Sequence, residues 1–140
     1  MTLTGTRFGT IEYQSNDVFR FDEGLIGFPM LQEFVFLEHK PDSPFRWLQS
    51  VEEPALAFLV TDPHRFVPDY TLRVQQESEV VLATVAIPAG RPMDMTLNLA
   101  GPLVLDATNQ RGRQVVLDDG SYTVKHRVFA EAQTPERAAA

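Results

Sequence analysis

Few side chains in this sequence belong to the types that perform chemistry, and their spacing limits what they can do. The three histidines, His39, His64 and His126, are far apart and none sits at a metal-ligand spacing. Cysteine is absent, which removes disulfides, thiolate metal sites and cysteine nucleophiles together and fits a reducing compartment. Ser50, Asp62 and His64 are the residue types of a hydrolase triad, but no nucleophile elbow or oxyanion loop accompanies them. Asp118-Asp119 looks like a carboxylate pair, yet adjacent residues at a strand end point in different directions and suit a turn. The stretch Asp22 to Pro29 carries Gly24 and Gly27, as a phosphate-cradling loop would. It has no Lys-Ser/Thr pair and no following helix, and Asp22-Glu23 would repel phosphate. A cyclic-dinucleotide barrel wants Arg-x-x-x-Arg and then Asp-x-Ser-x-x-Gly. Here Arg111 and Arg113 are only two apart, and Val124 stands where the second pattern needs its glycine. No catalytic residue, metal or cofactor is expected, and the chain reads as a non-enzyme.

Composition points the same way. A chain of 140 residues suits one domain. It is long enough to bury about two-thirds of its unfolded surface without a staple. The opening MTLTGTRFGTIEY lacks a basic region followed by an apolar core, so no signal peptide is expected. No apolar run approaches the ~20 residues of a membrane span. The expected setting is therefore the cytoplasm, with no membrane contact. Twelve basic side chains stand against nineteen acidic ones, a net charge of −7. The excess lies in residues 1–63, with four basic and ten acidic groups, whereas residues 64–140 hold eight and nine. Such a surface repels phosphate backbones, which disfavours direct nucleic-acid binding, and it steers a basic protein partner inward. Its plainer effect is to keep a small protein soluble.

The elements that must position any site are strands. The stretch Met95 to Asp119, MTLNLAGPLVLDATNQRGRQVVLDD, organises them. Met95, Leu97 and Leu99 alternate with Thr96, Asn98 and Ala100, the period of a half-buried strand. Gly101-Pro102 interrupts it. Leu103–Ala107 and Arg113–Leu117 then flank the polar loop Thr108–Gly112 as a hairpin. Leu97, Leu99, Leu105, Val115 and Leu117 are the expected core. Elsewhere alternation and turn residues place strands at Thr6–Tyr13, Val18–Phe21, Phe34–Glu38, Phe45–Val51, Ala57–Thr61, Tyr70–Gln75, Val80–Ile87 and Tyr122–Phe129. One helical turn is expected at Met30–Glu33, and a short 3₁₀ or irregular piece at His64–Val67. About ten short strands with little helix predict an all-β, antiparallel, barrel-like single domain over 1–129. Residues 130–140, rich in Ala, Glu, Gln, Pro and Arg, are expected to form a frayed or disordered tail. Trp47, the single tryptophan, is a core residue or, if exposed, an interface anchor.

The segments RFGTIEY, FDEGLIGFPMLQEFVFLE, PFRWLQSVEEPALAFLVTDP and the Met95–Asp119 stretch resemble, in order, the FliW family of flagellar assembly factors. The resemblance runs from Arg7 to about His126. Its most specific parts are F-x-W-L-Q-S at Phe45–Ser50 and T-x-N-L-x-x-P at Thr96–Pro102. Residues between Val74 and Val80 depart from it, being shorter and more polar. The resemblance implies a monomeric cytoplasmic regulator that binds flagellin and also the RNA-binding translational repressor CsrA. In that scheme it relieves repression of flagellin mRNA until flagellin sequesters it. Six residues are expected to serve these partners. The turn Glu52-Glu53-Pro54 should be exposed and meet a basic partner, since buried unpaired carboxylates are costly. Asn98, together with Asn109, Arg111 and Gly112 of the hairpin loop, is expected to form a surface shared by both partners, because two standard interfaces crowd so small a domain. Asn98 bonding only to neighbouring backbone is the simpler alternative. A small β-barrel enzyme or ligand-binding module is the competing function; a copurifying small molecule would favour it.

Overall fold

Two runs, Leu103-Val104-Leu105 and Val80–Ala86, are apolar at nearly every position rather than at every second one, and both are strands covered on two faces. The computed structural model describes residues 1–73 and 75–129. Its strands are β1 (Thr2–Thr6), β2 (Gly9–Glu12), β3 (Phe19–Phe21), β4 (Glu33–Glu38), β5 (Phe45–Ser50), β6 (Ala57–Thr61), β7 (Val80–Ala86), β8 (Thr96–Leu97), β9 (Leu103–Asp106), β10 (Arg111–Gln114) and β11 (His126–Arg127). Among the described residues helix is limited to single 3₁₀ turns such as Pro63–Arg65, within the region where a short piece is expected.

Strands β7-β6-β5-β4-β3-β10-β9 follow one another in a sheet, and β7 pairs with β9 as well, closing a seven-stranded barrel. Alternating directions cannot close a ring with an odd number of strands, so one junction must be parallel. It is β3–β10, with Arg20 beside Arg111 and Phe21 beside Gly112. The fold is the all-β, antiparallel, barrel-like one expected, with this joint the single parallel pairing among the described strands. Past Leu82, β7 leaves β9 and pairs with β8, which carries β11 on its far side.

Phe21, Phe34, Leu48, Val60, Leu82, Leu103 and Leu105 fill the barrel. Val81, Ala83 and Val104 point outward from the same strands into a second cluster with Tyr70, Leu97 and Leu99. Of the expected core, Leu97, Leu99 and Leu105 are buried, and Val115 and Leu117 are half-buried.

Several strands are shorter than the alternation predicts, each because a side chain captures backbone. Thr6–Tyr13 is not one strand but the end of β1, a turn and β2. The Thr6 hydroxyl accepts the Phe8 N–H and donates to the Gly9 carbonyl, folding the chain back at Arg7-Phe8. Asn98 Oδ1 accepts the N–H groups of Ala100 and Gly101, which ends β8 at Leu97. Among the described residues of the stretch Tyr70–Gln75 no strand forms. Tyr70 plugs the second cluster instead and donates its hydroxyl to the Leu99 carbonyl at 2.6 Å, and burial pushes its phenol pKa well above the ordinary range. Tyr122–Phe129 keeps strand pairing only at His126–Arg127, with Tyr122 packed on Tyr70. The strand expected at Arg113–Leu117 begins earlier, at Arg111. Met30–Glu33 makes no helical turn; a turn closed by the Leu31 N–H on the Phe28 carbonyl leads straight into β4. Residues 130–140, the expected tail, lie outside the described residues.

Leu105 is 3% exposed inside the barrel, and Leu105→Ala should cost about 2–5 kcal/mol. A Cβ on Gly112 would stand 2.4 Å from the Phe21 ring. Gly112→Ala should therefore cost roughly 1–3 kcal/mol by overpacking. Thermal denaturation checks both. An unchanged midpoint for Gly112→Ala would mean that the Phe21 ring has room to withdraw.

Candidate functional site

Parallel pairing sends the chain out of β3 and out of β10 at the same rim of the barrel. The segment after β3 is the loop 22–29, and the segment after β10 runs through Val116. An open groove of about 740 Å³ lies between them.

The loop is rigidly shaped. Gly24 is buried at φ +66°, and a Cβ there would meet the Phe28 and Pro29 carbonyl oxygens at 2.5 and 2.6 Å. Leu25 and Phe28 then exchange backbone hydrogen bonds across Ile26-Gly27, with Gly27 at φ +88°. Leu25 enters the barrel core and Phe28 packs on Phe58. The tip is thereby forced outward, and Ile26 is 61% exposed. Gln114 holds it there. Its Oε1 accepts the Ile26 N–H at 2.8 Å, while its Nε2 donates to the Gly101 carbonyl at 2.8 Å. Across the groove Val116 is also 61% exposed.

The walls are ionic. Asp22 accepts from Arg20 at 3.1 Å and from Arg111 at 2.8 Å. Gln32 links them further, receiving Arg20 on its side-chain oxygen and donating to the Asp22 carbonyl. Arg113 pairs with Glu79 at 2.5 Å, and the Glu79 side chain is only 9% exposed. The Arg113 hydrogen bond holds the Glu79 carboxyl below its ordinary range, and the same bond raises Arg113. Residues 75–79 form a turn that presents Glu79, with Gln75 and Gln76 both bonded to it.

Of the expected site residues, Arg111 and Gly112 line this groove, whereas Glu52, Glu53, Asn98 and Asn109 lie outside its lining. Glu52 and Glu53 are exposed. The Glu52 carboxylate accepts the backbone N–H groups of Gln32 and Glu33 at 3.0–3.2 Å, which ties the turn to the start of β4. That turn is built by the motif before it. Buried Gln49 donates to the Ser50, Pro54 and Leu56 carbonyls, and Ser50 Oγ accepts the Glu53 N–H. Asn98 is half-buried and bonds to backbone, the simpler of its two readings, and adjoins Gly101 and thus Gln114. Asn109 is exposed and shapes the hairpin loop by donating to Asp106, whose carboxyl it holds below the ordinary range. Arg111 lines the groove, and Gly112 makes room for Phe21. A relay Glu52–Gln32–Arg20–Asp22 and a second one Asn98–Gly101–Gln114–Ile26 both end on the loop 22–29. Sequence reasoning missed Ile26, Asp22 and Glu79. The visible signal was an isoleucine between two glycines, in a loop that was weighed only for phosphate.

Of the triad residue types, Asp62 and His64 meet, with His64 Nδ1 2.8 Å from Asp62 Oδ1, but Ser50 does not join them. β5 pairs β6 with Phe45 opposite Thr61, so Ser50 lies at the far end of β5 from Asp62, about five residues or ~17 Å away. The Asp119 carboxylate accepts the Ser121 N–H and is held low by it, as a turn residue. Among the described residues no group of three or more His, Asp or Glu side chains could hold a metal, and no helix is long and apolar enough to cross a membrane.

Two outcomes test this geometry. Glu52→Ala should lower unfolding free energy by about 1–2 kcal/mol, because two backbone donors lose an ionised acceptor. Glu53→Ala should be nearly neutral in the same chemical denaturation. Because folding lowers the Glu79 pKa from 4.5, the pair's stabilisation is complete above that pH and is lost as pH falls through the lowered folded value. Glu79→Gln should be less stable than the parent at pH 7, and the gap should begin to narrow below pH 4.5 and close once the pH is below the lowered folded value. A pH-independent gap would detach the effect from that carboxylate.

Residues 2–128 match the sequence profile described as FliW protein. The flagellar assembly factor FliW of Magnetococcus marinus is 42% identical over 132 residues, 86% of this chain and 82% of that one. That of Caldanaerobacter subterraneus subsp. tengcongensis is 38% identical over 143 residues, 94% and 95% of the two chains. A crystal structure of the flagellar assembly factor FliW superposes with a TM-score of 0.82 at 30% identity, over 94% of this chain and 99% of that one. With the barrel fold and nearly the whole length in agreement, the chain belongs to the FliW family of flagellar assembly factors.

Proposed function

We propose that this protein is a monomeric cytoplasmic regulator, not an enzyme, that binds flagellin at the groove and also binds the translational repressor CsrA. Binding CsrA would relieve repression of flagellin mRNA, and flagellin would displace it. The observation that carries the reading is the pair Ile26 and Val116, two exposed apolar side chains held on opposite lips of an ordered groove. Apolar residues fixed in the open between ionic walls cost a soluble monomer solubility and suit an interface. The names of the relatives support a partner from the flagellum. The acidic excess in residues 1–63 supports a second partner that is basic, as an RNA-binding protein is.

Area alone does not make the partners exclusive. Two interfaces of ~800 Å² each fit on a surface of 8629 Å². Exclusion instead follows from the shared loop, since the relays from Glu52 and from Asn98 both end on residues 22–29. If flagellin lowers the affinity for CsrA, CsrA lowers that for flagellin by the same factor.

Ile26→Gln with Val116→Gln should weaken flagellin binding by about tenfold or more in calorimetry, with an unchanged melting midpoint. Flagellin titrated into a preformed complex with CsrA should release CsrA. A stable ternary complex with undiminished affinities would overturn the switch, and a bound small molecule recovered with the protein would favour a ligand-binding module.

A further inference from the structure

A second opening lies away from the groove and shares no lining residue with it. β6 and β7 pair at Val60 with Thr84 and at Thr61 with Ala83. β7 then turns to β8 at Val85 and Ala86. The strands splay, and a pocket of about 360 Å³ opens between Ala57–Leu59 and Thr84–Ile87. Trp47 and Arg7 complete its lining, and Ile87 stands at its edge, 45% exposed.

Arg7 is the single charged residue of that lining. The turn between β1 and β2 carries it over β5, where its guanidinium carbon sits 4.5 Å from the Trp47 ring centroid and 5.8 Å from that of Phe8. Phe8 in turn packs on Trp47 at 5.3 Å. Among the described residues Arg7 contacts these rings and forms no ion pair. A guanidinium held against an indole is already ordered, and it keeps donors for a bidentate carboxylate. Apolar floor, aromatic wall and one unpaired cation are the make-up of an interface hot spot.

We propose that the splay between β6 and β7 is a docking site for an acidic, apolar segment of a partner protein, one apolar side chain entering the pocket and an adjacent carboxylate pairing with Arg7. Charge selects the occupant. A basic segment would meet Arg7 head on, and a neutral one would leave its donors unanswered. The proposal is independent of what the groove binds.

Trp47 is the only tryptophan, so its emission reports on this pocket alone. The probes are two capped hexapeptides, acetyl-Thr-Glu-Leu-Glu-Thr-Ser-amide and the same sequence with lysine for both glutamates. The acidic peptide should shift Trp47 emission and bind about tenfold or more tightly than the lysine peptide. Arg7→Gln should remove that preference. Ile87→Glu, a change at an exposed edge, should weaken the acidic peptide about fivefold or more while leaving the melting midpoint unchanged. An emission that neither peptide moves, equal affinity for the two, or binding of the acidic peptide unchanged in both variants would overturn the proposal. Loss of binding in Ile26→Gln but not in Arg7→Gln would do so as well, by placing the peptide in the groove.

Discussion

The parallel joint between β3 and β10 is the constraint on which the rest of this structure depends. A ring of seven strands needs one such joint, and it is made where Gly112 lies beneath the Phe21 ring. Any larger residue at Gly112 would drive the ring out of the barrel core. Parallel neighbours also leave the sheet in the same direction. That brings the loop after β3 and the segment after β10 to one rim, so Ile26 and Val116 face each other across a groove. An antiparallel joint would have put them at opposite ends. The topology needed to close the barrel thus also creates its candidate site.

The family motifs act through backbone geometry rather than chemistry. In F-x-W-L-Q-S, Gln49 and Ser50 collect the carbonyls and the N–H of the following turn, and so aim Glu52 at the start of β4. In T-x-N-L-x-x-P, Asn98 turns the chain toward Pro102 and positions Gly101 to receive Gln114. Both sets of bonds stiffen the loop 22–29 from opposite sides. A binding surface ordered before its partner arrives loses less conformational entropy on association.

The ion pairs lining the groove differ in kind. Those of Asp22 with Arg20 and Arg111 join well-exposed groups, each worth little to stability. Their consequence is orientation, because two arginines share one carboxylate. Arg113 and Glu79 are different, since Glu79 is largely covered and its carboxyl is shifted by the contact. The two openings also differ in charge. The groove has its arginines paired, whereas Arg7 rests on aromatic rings with its donors unspent.

Sequence alone determined the all-β class and most strand positions, because side-chain alternation is a local property with period two. Ala57–Thr61 has the bounds that alternation placed on it, and Met95, Leu97 and Leu99 are buried together. It also carried the family, through motifs whose bonds span only a few residues. Where strands end was less legible. Asn98, Thr6 and Tyr70 interrupt alternating runs by bonding backbone, and a propensity pattern does not register such a bond. The groove was legible only in pieces. Arg111 is the side chain of its lining that polar residues in the hairpin loop pointed to, while Glu52, Asn98 and Asn109 lie outside that lining. Ile26 was not found, because an isoleucine is read as core until the fold shows that Leu25 and Phe28 have taken the inward positions. Which loops meet at a rim depends on one parallel joint between strands some ninety residues apart. No local pattern encodes that pairing; closing the barrel decides it.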